Sequence, residues 1–183
     1  ERLKTTLQAG RSAEREQRAT ENIAAYEAYL KGRALLYRRG AGVKEGMAMM
    51  RRALELDPEY ALAWAGLADS YSLQGYYGGM PPEMCEPRAR EAAQKALALG
   101  PDLAETHNAL AQVSLLFDWN WSETERGFKR ALAINPGYVQ AGAWYALFYL
   151  GFACARWDES IDQMRRLQRP DPLSGYSAVV LAF

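Results

Sequence analysis

Four short stretches of the chain share one pattern of apolar and polar positions. They are Arg52-Ala-Leu-Glu-Leu-Asp-Pro58, Lys95-Ala-Leu-Ala-Leu-Gly-Pro101, Arg130-Ala-Leu-Ala-Ile-Asn-Pro136 and Arg166-Leu-Gln-Arg-Pro-Asp-Pro172. Each reads as the end of an amphipathic helix, closed by a proline that has no amide hydrogen and cannot continue it. The prolines stand 43, 35 and 36 residues apart, which a unit of about 34 residues with insertions of nine, one and two explains. Within each unit the apolar residues fall at helical spacing in two blocks. Leu62, Trp64, Leu67, Ala68 and Tyr71 make one face, and Ala89, Ala92, Ala93, Ala96 and Leu97 the next. A third pair carries Ala104, Leu110 and Ala111, then Trp121, Phe128 and Ala131; a fourth carries Trp144 and Leu147, then Trp157, Ile161 and Met164. Alanine at these positions lets two antiparallel helices approach closely. The pattern predicts an all-α fold, an α-solenoid of antiparallel helix pairs.

The spelling of the units resembles the tetratricopeptide repeat, W-x-x-L-G-x-x-Y, then A-x-x-x-F, A and P. Trp64-x-x-Leu67-Ala68-x-x-Tyr71 matches the first half with alanine for glycine, and Phe128-x-x-Ala131-x-x-x-x-Pro136 the second. The first unit departs most: Gly46 stands where alanine is usual, and Gly32 and Pro58 are two residues further apart than expected. The resemblance implies a right-handed superhelix of about four repeats, at 22–60, 61–103, 104–138 and 139–172, with a partial terminal helix at 173–183. Residues 8–21 contain no large apolar side chain, so 1–21 is expected to be a linker or the tail of a preceding domain. Glu21-Asn-Ile-Ala-Ala-Tyr-Glu-Ala-Tyr-Leu-Lys-Gly-Arg33, Tyr60-Ala-Leu-Ala-Trp-Ala-Gly-Leu-Ala-Asp-Ser-Tyr71 and Phe117-Asp-Trp-Asn-Trp-Ser122 look like the C-terminal repeat segments of bacterial multidomain regulators. Such segments follow winged-helix, Ser/Thr kinase or adenylate cyclase domains. That likeness implies a sensory or scaffolding arm.

Composition narrows the functional classes. The 183 residues hold 22 Lys+Arg against 22 Asp+Glu, so no general electrostatic attraction to nucleic acid or an anionic membrane is expected. One histidine and two cysteines cannot supply the ligands of a closed zinc site without carboxylates. The uncharged stretch 139–155 is at the bottom of the length a spanning helix needs and is interrupted by glycine, so it reads as a core helix. No membrane insertion, cofactor or metal is expected. The location expected is cytoplasmic, or periplasmic if the parent protein spans a membrane.

Candidate chemistry is sparse. Asp118-x-Asn120-x-Ser122 opens like a calcium loop, but Glu123 and Lys129 stand where glycine and a bidentate glutamate are required. Ser122-Glu-Thr-Glu125 reads as a capping box before the Phe128 helix. His107 occupies the place of Trp64 in its repeat and is expected to pack. Cys85, flanked by Glu83 and Glu86, is expected to be the more exposed thiol, with a raised pKa; Cys154 is expected in the core. No phosphate-binding, nucleophile-elbow or zinc-protease motif occurs, and no enzyme is expected.

The function expected is a non-catalytic protein–protein interaction module that binds a peptide or partner protein in the concave groove. The alternative is a structural or oligomerising arm that positions a neighbouring signalling domain. The groove positions are Tyr26, Tyr29 and Arg33; Ala65, Asp69 and Ser72; Asn108 and Gln112; and Tyr145 and Tyr149. Rigid tyrosines give contact area at low entropic cost, and amides give adaptable hydrogen bonds. Asp69 disfavours a ligand's carboxylate. Gly75-Tyr-Tyr-Gly-Gly-Met-Pro-Pro82 is expected to form an ordered loop anchored by Tyr76, Tyr77 and Met80. Val179, Val180, Leu181 and Phe183 would leave an apolar end, which a second copy of the chain is expected to cover.

Overall fold

The proline phrases become a repeated hydrogen-bonded turn. Asp57, Gly100 and Asn135 each close a helix by donating their amide to the carbonyl of Ala53, Ala96 and Ala131. Three residues on, the amides of Tyr60, Leu103 and Tyr138 donate back to the carbonyls of Asp57, Gly100 and Asn135, at 3.1–3.3 Å. The chain then enters the next helix. Trp64 Nε1 donates to the Pro58 carbonyl at 2.8 Å, and His107 Nε2 lies 2.8 Å from that of Pro101. The aromatic ring six residues past each proline thus bolts the turn to the helix it opens. The same place in the fourth repeat is Gly142, where a side chain would collide with Leu167: an added Cβ would stand 2.5 Å from its Cδ1.

The structure is a computed structural model that describes residues 20–168. Among these the helices are α1 (Ile23–Arg38), α2 (Gly42–Leu56), α3 (Ala61–Tyr76), α4 (Pro82–Leu99), α5 (Ala104–Val113), α6 (Trp121–Ile134), α7 (Val139–Ala143) and α8 (Trp157–Gln168). A π-helical turn, Ser114–Asp118, extends α5, and a π-helix, Trp144–Ala153, extends α7. They pair as α1–α2, α3–α4, α5–α6 and α7–α8, and each pair packs on the next. Ala53, Ala96 and Ala131 are fully buried at corresponding places, with Ala68, Ala93 and Phe128 beside them. In the first pair, glycine replaces alanine on both helices. A Cβ on Gly46 would stand 3.0 Å from the Gly32 carbonyl, and one on Gly32 3.2 Å from that of Gly46. The two backbones therefore touch. The turn that follows α1 passes through Arg39 and Gly40, both at positive φ.

Three local expectations are corrected. The helix α6 is capped by Asn120, whose side chain accepts the Glu123 amide, and starts at Trp121. Ser122 therefore lies inside the first turn, and Glu125 is free for other contacts. Residues 75–76 belong to α3, so the connecting loop is only 77–81; most of the extra length is absorbed by the 18-residue α4. Cys85 is fully buried in the first turn of α4, while Cys154 is half-buried. The expected helix at 173–183 and its apolar end lie outside the described residues, as do 1–19.

The first helices are not evenly spaced. The backbones of α1 and α3, and of α3 and α5, run in close contact, whereas close backbone approach between α5 and α7 is all but absent. Long side chains span that gap instead. Gln140 and Trp144 of α7 and its extension reach past α5 to Asp69 and Tyr76 of α3.

Candidate functional site

Most of the expected groove is covered by the chain itself. Ala65, Asp69, Ser72, Asn108 and Gln112 are buried, as is Tyr29, while Tyr26 and Arg33 are half-buried. Arg33 lies over the rings of Tyr29 and Tyr37, at 5.6 and 5.9 Å, and donates from Nη1 to the Tyr29 hydroxyl. With Asp69, Glu105, Tyr138 and Gln140 they line a narrow recess between the first helices.

Asp69 is the polar centre of this face. Its carboxylate accepts from Asn108 Nδ2 at 3.2 Å and from Gln140 Nε2 at 2.8 Å, tying α3, α5 and α7 together. Burial pushes its carboxyl up to about 7, against the pull of Arg39, the Gln140 hydrogen bond and Arg33; Glu105 adds to the rise. Sequence reasoning found Asp69 and Asn108 but missed Gln140, which sits in an apolar run with no local polar pattern to mark it.

Tyr145 and Tyr149 turn the other way. Their stacked rings, 5.7 Å apart, face α6, where their hydroxyls donate to Glu125 at 3.2 and 3.3 Å. Lys129 and Arg156 each stand 3.0 Å from the same carboxylate. Hydrogen bonds from Lys129 and Arg156 hold Glu125 down to about 2 in spite of desolvation. The two tyrosines therefore close the seam between the third and fourth repeats and do not join Tyr29 and Asp69. The physical reason is the repeat register: counted from the closing prolines, Tyr145 and Tyr149 hold the places of Leu67 and Tyr71, which are buried core positions of the second repeat.

In their place the π-helix presents Trp144, Phe148 and Phe152, four residues apart, to the side on which α7 reaches α3. Trp144 stacks on Phe148 at 4.3 Å, and Tyr76 packs edge-on against both at 5.8 and 5.3 Å. Tyr77 adjoins Tyr76, and Phe152 links Phe148 to Trp157 at 6.1 and 5.8 Å. The result is one continuous aromatic strip from the end of α3 to the start of α8. Tyr76, Tyr77, Phe152 and Trp157 are 46, 54, 63 and 49% exposed, an apolar patch on the order of several hundred Å². Sequence reasoning took Tyr76 and Tyr77 as loop anchors and missed Phe148 and Phe152. The four-residue spacing from Trp144 was the available signal, since it sets the three rings on one side of a helix.

The remaining candidates are structural. His107 is spent on the Pro101 carbonyl. Burial raises the Cys85 thiol, and Glu83 adds to this against Arg88. Among the described residues no three His, Cys, Asp or Glu side chains cluster as metal ligands, and no helix is long and apolar enough to cross a membrane.

No protein-family model matches the sequence, and no curated protein matches it significantly. Among solved structures, the thermophilic TPR protein TTC0263 of Thermus thermophilus superposes with a TM-score of 0.68 at 18% identity, over 88% of this chain and 81% of that one. YrrB, described as a TPR protein with an unusual peptide-binding site, superposes with a TM-score of 0.46 at 20% identity, over 89% of this chain and 78% of that one. The stacked helix pairs, their repeated proline turns and the likeness to TTC0263 make this fold an α-solenoid of the tetratricopeptide-repeat type.

Proposed function

We propose that the chain is a non-catalytic protein-interaction module within a larger bacterial regulatory protein, and that a peptide or partner protein docks on the face lined by its first helices. The carrying observation is the aromatic strip: four large rings half-exposed in one continuous surface. Monomeric surfaces seldom leave such a patch to water, and rigid aromatic side chains dominate binding hot spots. The setting in a bacterial regulator, and with it a cytoplasmic location, rests on the likeness of 21–33, 60–71 and 117–122 to the repeat segments of such proteins.

The test is a Phe152→Ser, Trp157→Ser double variant of the parent protein. Helicity by circular dichroism is expected to persist, because both rings are exposed, while co-purification of the partner is lost. Retention of the partner with wild-type affinity would refute docking on the strip. It would favour the second reading, a structural arm, which has its own support in the Asp69 hydrogen bonds that fasten three successive first helices. In either reading, a second copy covering 173–183 is tested by light scattering of the full chain, where a monomer at high concentration would exclude it.

A further inference from the structure

Between the Asp69 layer and the Tyr76 layer lies a group of buried polar atoms with no hydrogen-bond partner: Ser72 Oγ on α3, Asn108 Oδ1 and both amide atoms of Gln112 on α5, and Trp144 Nε1 on the π-helix. All four residues are at most 1% exposed. Ser72 is three residues past Asp69 and Gln112 four past Asn108, so each is the next position on the same helix face. Trp144 is likewise four past Gln140. In the layer before this one, Asp69 accepts from Asn108 Nδ2 and Gln140 Nε2. The layer after it is closed by the contacts of Tyr76 with Trp144 and Phe148.

Buried polar groups in folded proteins are nearly always paired, and an unmade bond destabilises the state that buries it. Here the unmade bonds lie along one seam, that between α7 with its extension and the α3–α5 surface. It is also the seam where the backbones of neighbouring first helices fail to approach. The covering element runs as a π-helix from Trp144 to Ala153, a rare geometry that is frequent at functional sites.

We propose that α7 and its π-helical extension form a movable cover over a polar floor of Ser72, Asn108 and Gln112, and that this floor takes the uncharged main-chain amide groups of an extended peptide. The inference rests on the interaction-module reading and adds a closed state to it. The ligand class follows from the atoms. The floor offers acceptors at Asn108 Oδ1 and Gln112 Oε1, a donor at Gln112 Nε2, and a hydroxyl that does either at Ser72. A peptide unit brings one N–H and one C=O and satisfies both kinds. A carboxylate brings acceptors alone and would sit beside Asp69; an ammonium group brings donors alone.

The experiment places a thiol on the floor. In a Cys85→Ala, Cys154→Ser background, Ser72→Cys is labelled with a small disulfide reagent across sub-denaturing urea. Labelling is expected at least tenfold faster than global unfolding allows, with little dependence on urea, because the cover opens locally. Gln112→Met, which removes the unpaired amide at similar volume, is expected to raise the melting temperature and slow labelling severalfold. A pool of hexapeptides acetylated and amidated at their ends is expected to protect the thiol in the Gln112 protein and not in the Gln112→Met variant. Labelling that tracks global unfolding would overturn the cover. A lower melting temperature for Gln112→Met would also overturn it, since internal water would then be bridging the amide. Failure of the peptide pool to protect would overturn the assigned ligand. None of these readouts involves the strip or the natural partner, so loss of that reading registers separately in the Phe152→Ser, Trp157→Ser variant.

Discussion

Replacing Asp69 with asparagine should remove a loss of stability that the fold suffers as pH rises toward neutrality. The carboxyl is 5% exposed and is pushed from an ordinary 3.8 up to about 7 by burial. Arg39 and Arg33 oppose that rise, Glu105 reinforces it, and the nearby Tyr138 is itself held neutral by burial. The native state therefore binds this proton more tightly than the unfolded chain does. The stability contributed by the neutral form is present in full below about pH 4 and lost as pH rises toward 7. A displacement of about three pH units corresponds to roughly 4 kcal/mol. An asparagine there would carry no such dependence, but its amide would present a donor to one of the two donors that now meet the carboxylate, Asn108 Nδ2 and Gln140 Nε2. One lost buried hydrogen bond costs about 1–3 kcal/mol. Urea denaturation at pH 4.5, 6, 7 and 8 should then show Asp69→Asn less stable than wild type by about 1–3 kcal/mol at the acid end. At pH 8 it should be as stable or more so. Two profiles running parallel across this range would refute the reasoning, because the carboxyl would then titrate alike folded and unfolded.

Ala131→Leu, at a fully buried helix crossing, should destabilise by about 1–3 kcal/mol through overpacking; an unchanged melting temperature would contradict the assigned contact. Trp64→Phe removes the bond to the Pro58 carbonyl and should cost about 1 kcal/mol. His107→Phe, which removes the equivalent bond in the next repeat, should shift the denaturation midpoint by a similar amount if the two rings do the same work. Glu125→Gln should weaken acid sensitivity. The wild-type carboxylate is held down to about 2, so its contribution is present above about pH 4.5 and falls away as pH drops toward 2, a loss the variant should not show in an acid titration followed by circular dichroism.

The fold was legible because the repeat is written in residues whose physics is local. Proline stops a helix wherever it stands, and alanine at Ala53, Ala96 and Ala131 marks a close crossing whatever surrounds it. The candidate face was legible only in part. Asp69, Ser72, Asn108 and Gln112 were placed correctly on the first helices, but nothing local revealed that side chains from the fourth repeat would cover them. Tyr145 and Tyr149 were assigned to the groove out of register: counted from the closing prolines they hold the places of Leu67 and Tyr71, which pack inward. The Asn120 cap was hidden behind a better-known motif at Ser122, because two nearby polar residues both satisfy the cap's chemistry.

The ten residues of the π-helix Trp144–Ala153 carry a phase. Each of its turns takes up nearly one residue more than an α-helical turn, so over its length the chain leaves the helix rotated by about half a turn from where α-helical winding would bring it. The screw operation that carries the first repeats onto one another therefore does not carry the third onto the fourth. Any unit stacked beyond α8 inherits the offset, and an array built by copying the first three repeats would grow along a different axis. With the shorter π-helical turn at Ser114–Asp118, this altered winding acts as a dislocation in a repeating object.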